Sequence, residues 1–187
     1  MREYGFHERL AWSDGFATNS VDVFSRILKA RIPGCYDVTK ADLQNDRNGT
    51  DYFAWRTDTL PLSIDVKVRS EDYAVRGQDD LALETWSIYP TKIGWTRDAK
   101  KQTDFILWYW TTTGRFALVP FPPLCAVFQL HWQEWLETYG GHGQNSGTWE
   151  SECVFVPRVL VYDRITAWCG GQLPVLPKLV PITPCNV

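Results

Sequence analysis

The stretch GTDYFAWRTDTLPLSIDVKVR, residues 49–69, decides how the rest of the chain is read. It holds two runs rich in aromatic and β-branched residues, TDYFAWRT and LPLSIDVKVR, with turn-forming Asp58 and Pro61 between them, and so predicts a β-hairpin. On the second strand Asp65 and Lys67 share one face, while Ile64, Val66 and Val68 share the other. Two charges on one face of an apolar strand cost free energy unless they pair or act. Asp51 opens the hairpin just after Gly49-Thr50, and a close approach to Asp65 would let two carboxylates hold one divalent cation. Mg2+ (or Mn2+) suits such a site, because it takes few protein oxygens, keeps waters and accepts phosphate oxygens. The metal would lower the pKa of a bound water, and Lys67 would position that water or help deprotonate it.

Upstream, TNSVDVFSRILKARIPG carries Val21, Phe24, Ile27, Leu28 and Ile32 at helical spacing, with Asn19 to cap and Asp22 at the positive end of the dipole. A helix is predicted over 20–31, ended by Pro33-Gly34. CYDVTKADLQNDRNG reads as a polar, turn-rich connection. Downstream, LALETWSI predicts a third strand, and the nearly continuous apolar run TDFILWYWTT a central strand buried on both faces. FPPLCAVFQLHWQEWLETYGG begins at Pro122-Pro123, ends at Gly140-Gly141 and carries one apolar face, which predicts a second amphipathic helix. GGHGQNSGTWES reads as a polar loop, VFVPRVLV as a late strand with Pro157 at an edge or bulge, and DRITAWC as a short helical turn. The Pro-rich tail reads as extended. This order describes an α/β (α+β) fold, a mixed central β-sheet flanked by helices. The expected organisation is one domain over 1–187, with its core at about 20–115 and a C-terminal helix, strand and tail at 120–187.

The 187 residues are 44% hydrophobic and 22% charged, which fits a globular chain long enough to bury a core. Ten tryptophans point mainly to core packing. A net charge of −3 supplies no global basic field, so nucleic-acid binding would need a local patch. Five widely spaced cysteines without a C-x-x-C pair argue against a disulfide framework and a zinc site, and for a reduced, cytoplasmic setting. No apolar stretch has the length of a signal peptide or a membrane span, so no membrane association is expected. His7, His131 and His142 are scattered, and the chain has neither a G-x-S-x-G elbow nor a phosphate loop. Asn48-Gly49-Thr50 matches a glycosylation acceptor but reads as a turn.

GTDYF followed by the apolar run into DVK resembles the active-site signature of the PD-(D/E)XK nuclease superfamily, the fold of many restriction endonucleases and junction resolvases. The resemblance covers at most residues 20–115 and implies a restriction-endonuclease-like core that hydrolyses DNA phosphodiester bonds with Mg2+. It implies Asp51 and Asp65 as metal-binding acids, the backbone carbonyl of Val66 as a further ligand, and Lys67 as the catalytic lysine. Asp51 follows Gly-Thr where the family pattern has proline, and the first helix offers Asp22 but no glutamate. Glu8 and Glu84 are the other acids that would complete the cluster.

An acidic-x-Lys triplet arises by chance about once in a chain of this length. Asp98-Ala99-Lys100 is a second copy, in a polar stretch with no apolar strand beneath it. Arg69, Arg76, Lys92, Arg97, Lys100 and Lys101 would contact phosphates if they converge near the site, although five acids interleave with them. Gly94-Trp95 reads as core packing rather than a base-stacking platform. The alternative function class is a non-catalytic interaction protein on the same scaffold, such as a phage or plasmid factor that binds a host protein. The acidic net charge, the tryptophans and the Pro-rich tail suit such a protein partner. A homodimer is compatible with either class.

Overall fold

FILWYW can bury both its faces only inside a layered structure, and the chain is arranged around it. The computed structural model describes residues 15–16, 20–57, 59–145 and 150–170. In chain order the elements are α1 (Val21–Arg31), β1 (Cys35–Lys40), α2 (Leu43–Arg47), β2 (Tyr52–Arg56), β3 (Leu62–Arg69), β4 (Asp80–Ile88) and β5 (Lys92–Ile93). They continue with β6 (Phe105–Trp110), β7 (Phe116–Pro120), α3 (Phe121–Tyr139), β8 (Gly141–Asn145), β9 (Glu150–Pro157) and α4 (Arg158–Trp168). A five-stranded sheet runs β1-β2-β3-β6-β7, and a four-stranded sheet runs β5-β4-β9-β8. The larger sheet is mixed: β3 pairs parallel with β6, and its other neighbours pair antiparallel. The fold is therefore α/β with a mixed central sheet.

Alternation along β6 serves two cores. Leu107 and Tyr109 join Ile64, Val66 and Val68 of β3 against Phe24, Ile27 and Leu28 of α1. The helical spacing of those α1 residues is what places them on one buried stripe. Ile106, Trp108 and Trp110 face the other way, toward Leu81 and Leu83 of β4, Val154 and Val156 of β9, and the buried faces of α3 and α4. Trp108 and Trp135 are both essentially inaccessible there, and truncating either to alanine would cost about 3 to 5 kcal/mol. Because β4 precedes β6 while β9 follows α3, the smaller sheet pairs strands from before and after the central strand.

Several elements differ from the sequence reading. CYDVTKADLQNDRNG is not a plain connection: it forms edge strand β1 and short helix α2, whose N-terminus Asp42 caps by accepting from Gln44 N and Asn45 N. LALETWSI is the expected strand, but it belongs to the second sheet. The described part of GGHGQNSGTWES pairs with β9 as β8. VFVPRVLV is divided at Pro157, where the strand stops and α4 begins, so DRITAWC continues an 11-residue helix. Proline suits that junction, since the first turn of a helix has no partner for the missing N–H. FALVP forms β7, a strand that the sequence reading left unassigned. His7, Glu8, Asn19, Cys185 and the Pro-rich tail lie outside the described residues.

A charge network, buried at Asp72 and partly exposed elsewhere, fastens the corner where β4, β7 and α4 approach. Arg115 bridges Asp72, at 3.0 Å, and Asp79, at 2.9 Å, and Arg158 reaches Asp79 at 2.6 Å. Among the described residues no helix is long and apolar enough to cross a membrane, which says nothing of membrane-spanning strands. Cys35, Cys125, Cys153 and Cys169 are free thiols.

Candidate active site

The β2–β3 ladder ends one step beyond the Tyr52–Ile64 pair, and the next position is where chemistry can enter. Asp51 N–H donates to Ile64 C=O at 2.8 Å, and the Asp51 side chain then takes the place of a further ladder partner. Its Oδ2 accepts from Val66 N–H at 2.6 Å. Ser63 and Arg69 carbonyls accept from Asp104 and Thr111 on the β6 side, so the even-numbered backbone groups of β3 face the β2 side. The Val66 carbonyl accordingly lies on the same edge as Asp51, past the end of β2.

Side chains alternate as the sequence requires. Ile64, Val66 and Val68 enter the α1 core, and Asp65 and Lys67 emerge on the opposite face. Asp65 is only 2% exposed. Its Oδ1 meets Lys67 Nζ at 2.8 Å, and its Oδ2 meets Lys101 Nζ at 2.8 Å, off the line of a well-aimed hydrogen bond. Asp51 and Asp65 lie close enough to feel one another's charge, so the turn and the strand bring both carboxyls into one neighbourhood.

Burial and the neighbouring Asp65 charge push the Asp51 carboxyl up to about 7, against the pull of Lys67 and the Val66 N–H. Asp65 goes the other way. Burial works to raise it, but Lys67 and then Lys101 outweigh burial and hold it below the ordinary carboxylate value. For Lys67, burial works against the ammonium, while Asp65 and then Asp51 keep it charged to higher pH than usual. Two like groups with opposite shifts are the pattern of a polarised acid pair. Lys67 Nζ also lies 5.1 Å from the centre of the Trp95 ring.

Lys101 arrives from a loop distant in sequence. Thr50 Oγ1 donates to Gln102 C=O at 2.6 Å, Gln102 N–H donates to Asn48 C=O at 3.1 Å, and Thr103 Oγ1 donates to Gly49 C=O. These bonds lay the loop across the Asn48–Thr50 turn. Gly49 has φ +92°, and a Cβ there would overlap Lys101 Nζ and come within 2.8 Å of its Cε. Glycine is needed both for the turn and for the path of the lysine.

Glu84 supports the site from β4. It accepts from Trp95 N–H at 2.8 Å and Ser87 Oγ at 2.9 Å, and its charge reaches Lys67 and Arg69. Trp95 packs against Trp108 and Phe121, as the core reading of Gly94-Trp95 expects. One edge of it lines a groove of about 370 Å³, together with Arg47, Gly49, Lys92, Lys100 and Lys101. Asp46 and Asp98 lie on the same wall.

The remaining sequence candidates lie apart from this groove. Arg69 sits on the Asp65 and Lys67 face, in the field of Cys153, Glu84, Asp65 and Asp80, which makes it a counter-charge between the sheets. Arg76 lies over Tyr73, and Arg97 lies over the rings of Trp86 and Trp132 with its Nη1 donating to Thr85 C=O. Asp22 is exposed on α1, which covers the opposite face of the sheet. His131 stacks on Trp135 and pairs with Glu134. Sequence reasoning did not foresee the Lys101–Asp65 pair or Arg47 in the groove.

Among the described residues no group of three or more His, Cys, Asp and Glu side chains is placed to hold a metal. The site offers two carboxyls and one strand-edge carbonyl, a donor set that fits Mg2+ or Mn2+ with water and substrate oxygens completing the shell. No family model, curated protein or solved structure matches the chain.

Proposed function

We propose that the chain is a metal-dependent nuclease with a restriction-endonuclease-like core, hydrolysing DNA phosphodiester bonds in a reducing, cytoplasmic setting. The observation that carries this reading is the convergence of Asp51, Asp65, Lys67 and the Val66 backbone at the open end of the β2–β3 ladder. A divalent cation held by Asp51, Asp65 and the Val66 carbonyl would polarise a phosphate oxygen and acidify a bound water. The side chains do the rest. Lys67, kept charged by its acid neighbours, acts as a donor that orients the attacking water and steadies charge on the phosphate, rather than as the base. Arg47, Lys92 and Lys100 take flanking phosphates, and Asp46 and Asp98 limit how closely a polyanion settles. Free cysteines accord with the reducing compartment.

Purified protein incubated with several DNA forms and Mg2+ or Mn2+, beside a Lys67→Ala variant, is the test. The wild type nicks or cuts DNA, and the variant loses about a hundredfold or more of the rate. Cleavage that survives the substitution sinks the mechanism.

A second reading draws on the closure of the charge network. Lys67 and Lys101 each pair with one oxygen of Asp65, as a structural cluster in a non-catalytic protein that binds a protein partner would require. That reading expects no heat of divalent-cation binding and no salt-dependent DNA binding.

A further inference from the structure

We propose that Lys101 is an internal stand-in for the divalent cation, and that metal and polyanion load together because the groove gives the displaced ammonium a phosphate to meet. This rests on the reading of Asp51 and Asp65 as the cation site. Lys101 Nζ lies 2.8 Å from Asp65 Oδ2, an oxygen that a cation shared with Asp51 must reach. Its side chain is only 9% exposed, so the ammonium is committed to that carboxylate and not swinging in solvent. With both carboxyls ionised, as a shared cation requires, the two lysines already match them in formal charge. A dication entering without the departure of one lysine would leave the largely buried Asp65 with uncompensated positive charge around it.

Lys67 cannot be the one that leaves. It is fixed to β3 two residues from Asp65, and it lies against the Trp95 ring. Lys101 is carried on a loop, and it forms part of the wall of the groove that also holds Arg47, Lys92 and Lys100. Rotation of its side chain, with the loop's hydrogen bonds to Asn48, Gly49 and Thr50 intact, moves the charge from the carboxylate to the groove. A phosphate bound there stabilises the rotated state, and the vacated Asp65 oxygen favours the cation. Each ligand then strengthens the other by the same factor, as linkage demands. With no polyanion present, Lys101 opposes metal binding and keeps the site idle.

Calorimetric titration of the full chain with Mn2+ tests this, using wild type, Lys101→Met and Lys101→Gln, each shown to be folded by near-ultraviolet circular dichroism. Both variants should bind Mn2+ about tenfold more tightly than wild type. Adding a short phosphorothioate DNA duplex, which resists hydrolysis, should tighten Mn2+ binding to wild type by a similar factor and leave Lys101→Met nearly unchanged. If Mn2+ binds wild type but no more tightly to either variant, the stand-in role is wrong while the cation site stands. If Mn2+ binds none of the three, the cation site and the stand-in role both fall. Tightening in the variants without any DNA cleavage would uphold the role of Lys101 and count against the nuclease reading alone.

Discussion

Replacing Asp51 by asparagine in the metal-free protein should stabilise the fold at pH 8. The Asp51 carboxyl is raised from an ordinary 3.8 to about 7 by burial and by Asp65. Between those values the folded chain holds a proton that the unfolded chain has released, so stability falls as pH rises through that window. Above it the full cost of ionising Asp51 is present. At 1.36 kcal/mol for each pH unit that cost has a ceiling of about 4 kcal/mol, and water reaching the partly open edge brings it to roughly 2 kcal/mol. Asparagine keeps an acceptor for Val66 N–H and turns an amide donor toward Asp65, so it removes the repulsion without removing the hydrogen bond. Urea unfolding followed by tryptophan fluorescence at pH 5 and pH 8, in a chelator, reads the effect. The variant should match wild type at pH 5 within about 1 kcal/mol and exceed it at pH 8 by roughly 2 kcal/mol. A variant less stable than wild type at pH 8, or a difference that does not change with pH, would refute the account of the acid pair. Stabilisation bought by disabling the acid is the expected signature of a site kept for chemistry.

Two further substitutions probe the frame around the site. Arg115→Ala leaves the nearly inaccessible Asp72 carboxylate without its cation and should cost about 3 kcal/mol, seen as a lower thermal midpoint; a loss under about 1 kcal/mol would mean that Thr113 and the Ala74 N–H suffice. Gly49→Ala combines a strained φ with overlap on Lys101, and should cost about 1 to 3 kcal/mol in chemical denaturation. An unchanged midpoint for that variant would show that the turn and the lysine both adjust freely.

The elements legible in the sequence are those that bury a regular stripe. Phe24, Ile27 and Leu28 repeat at helical spacing, and FILWYW is apolar on both faces because each face meets a separate core. β1 escaped notice because only Val38 of its six residues is buried, so an edge strand left no alternation to read. β8 is glycine-rich and its described side chains at 141–143 are exposed, which gives the same silence. α4 buries Val161 and Ile165 and little else, and the β-branched residues ahead of Pro157 made its first turn look like more strand. In the site, Asp65 and Lys67 were readable from strand alternation, and Asp51 from the glycine turn beside them. Lys101 was not, because threonine hydroxyls that donate to carbonyls about fifty residues away bring its loop over Gly49. The Asp98-Ala99-Lys100 triplet, a chance match as a motif, thus lies beside the lysine that completes the network.

Anomalous diffraction from crystals of the protein grown with Mn2+ and a short phosphorothioate DNA duplex tests the cation site most directly. The expected result is a single strong peak between the Asp51 and Asp65 carboxylates, facing the Val66 carbonyl, with Lys101 Nζ withdrawn from Asp65. A map with no peak there, and with both lysines still on Asp65, would contradict it.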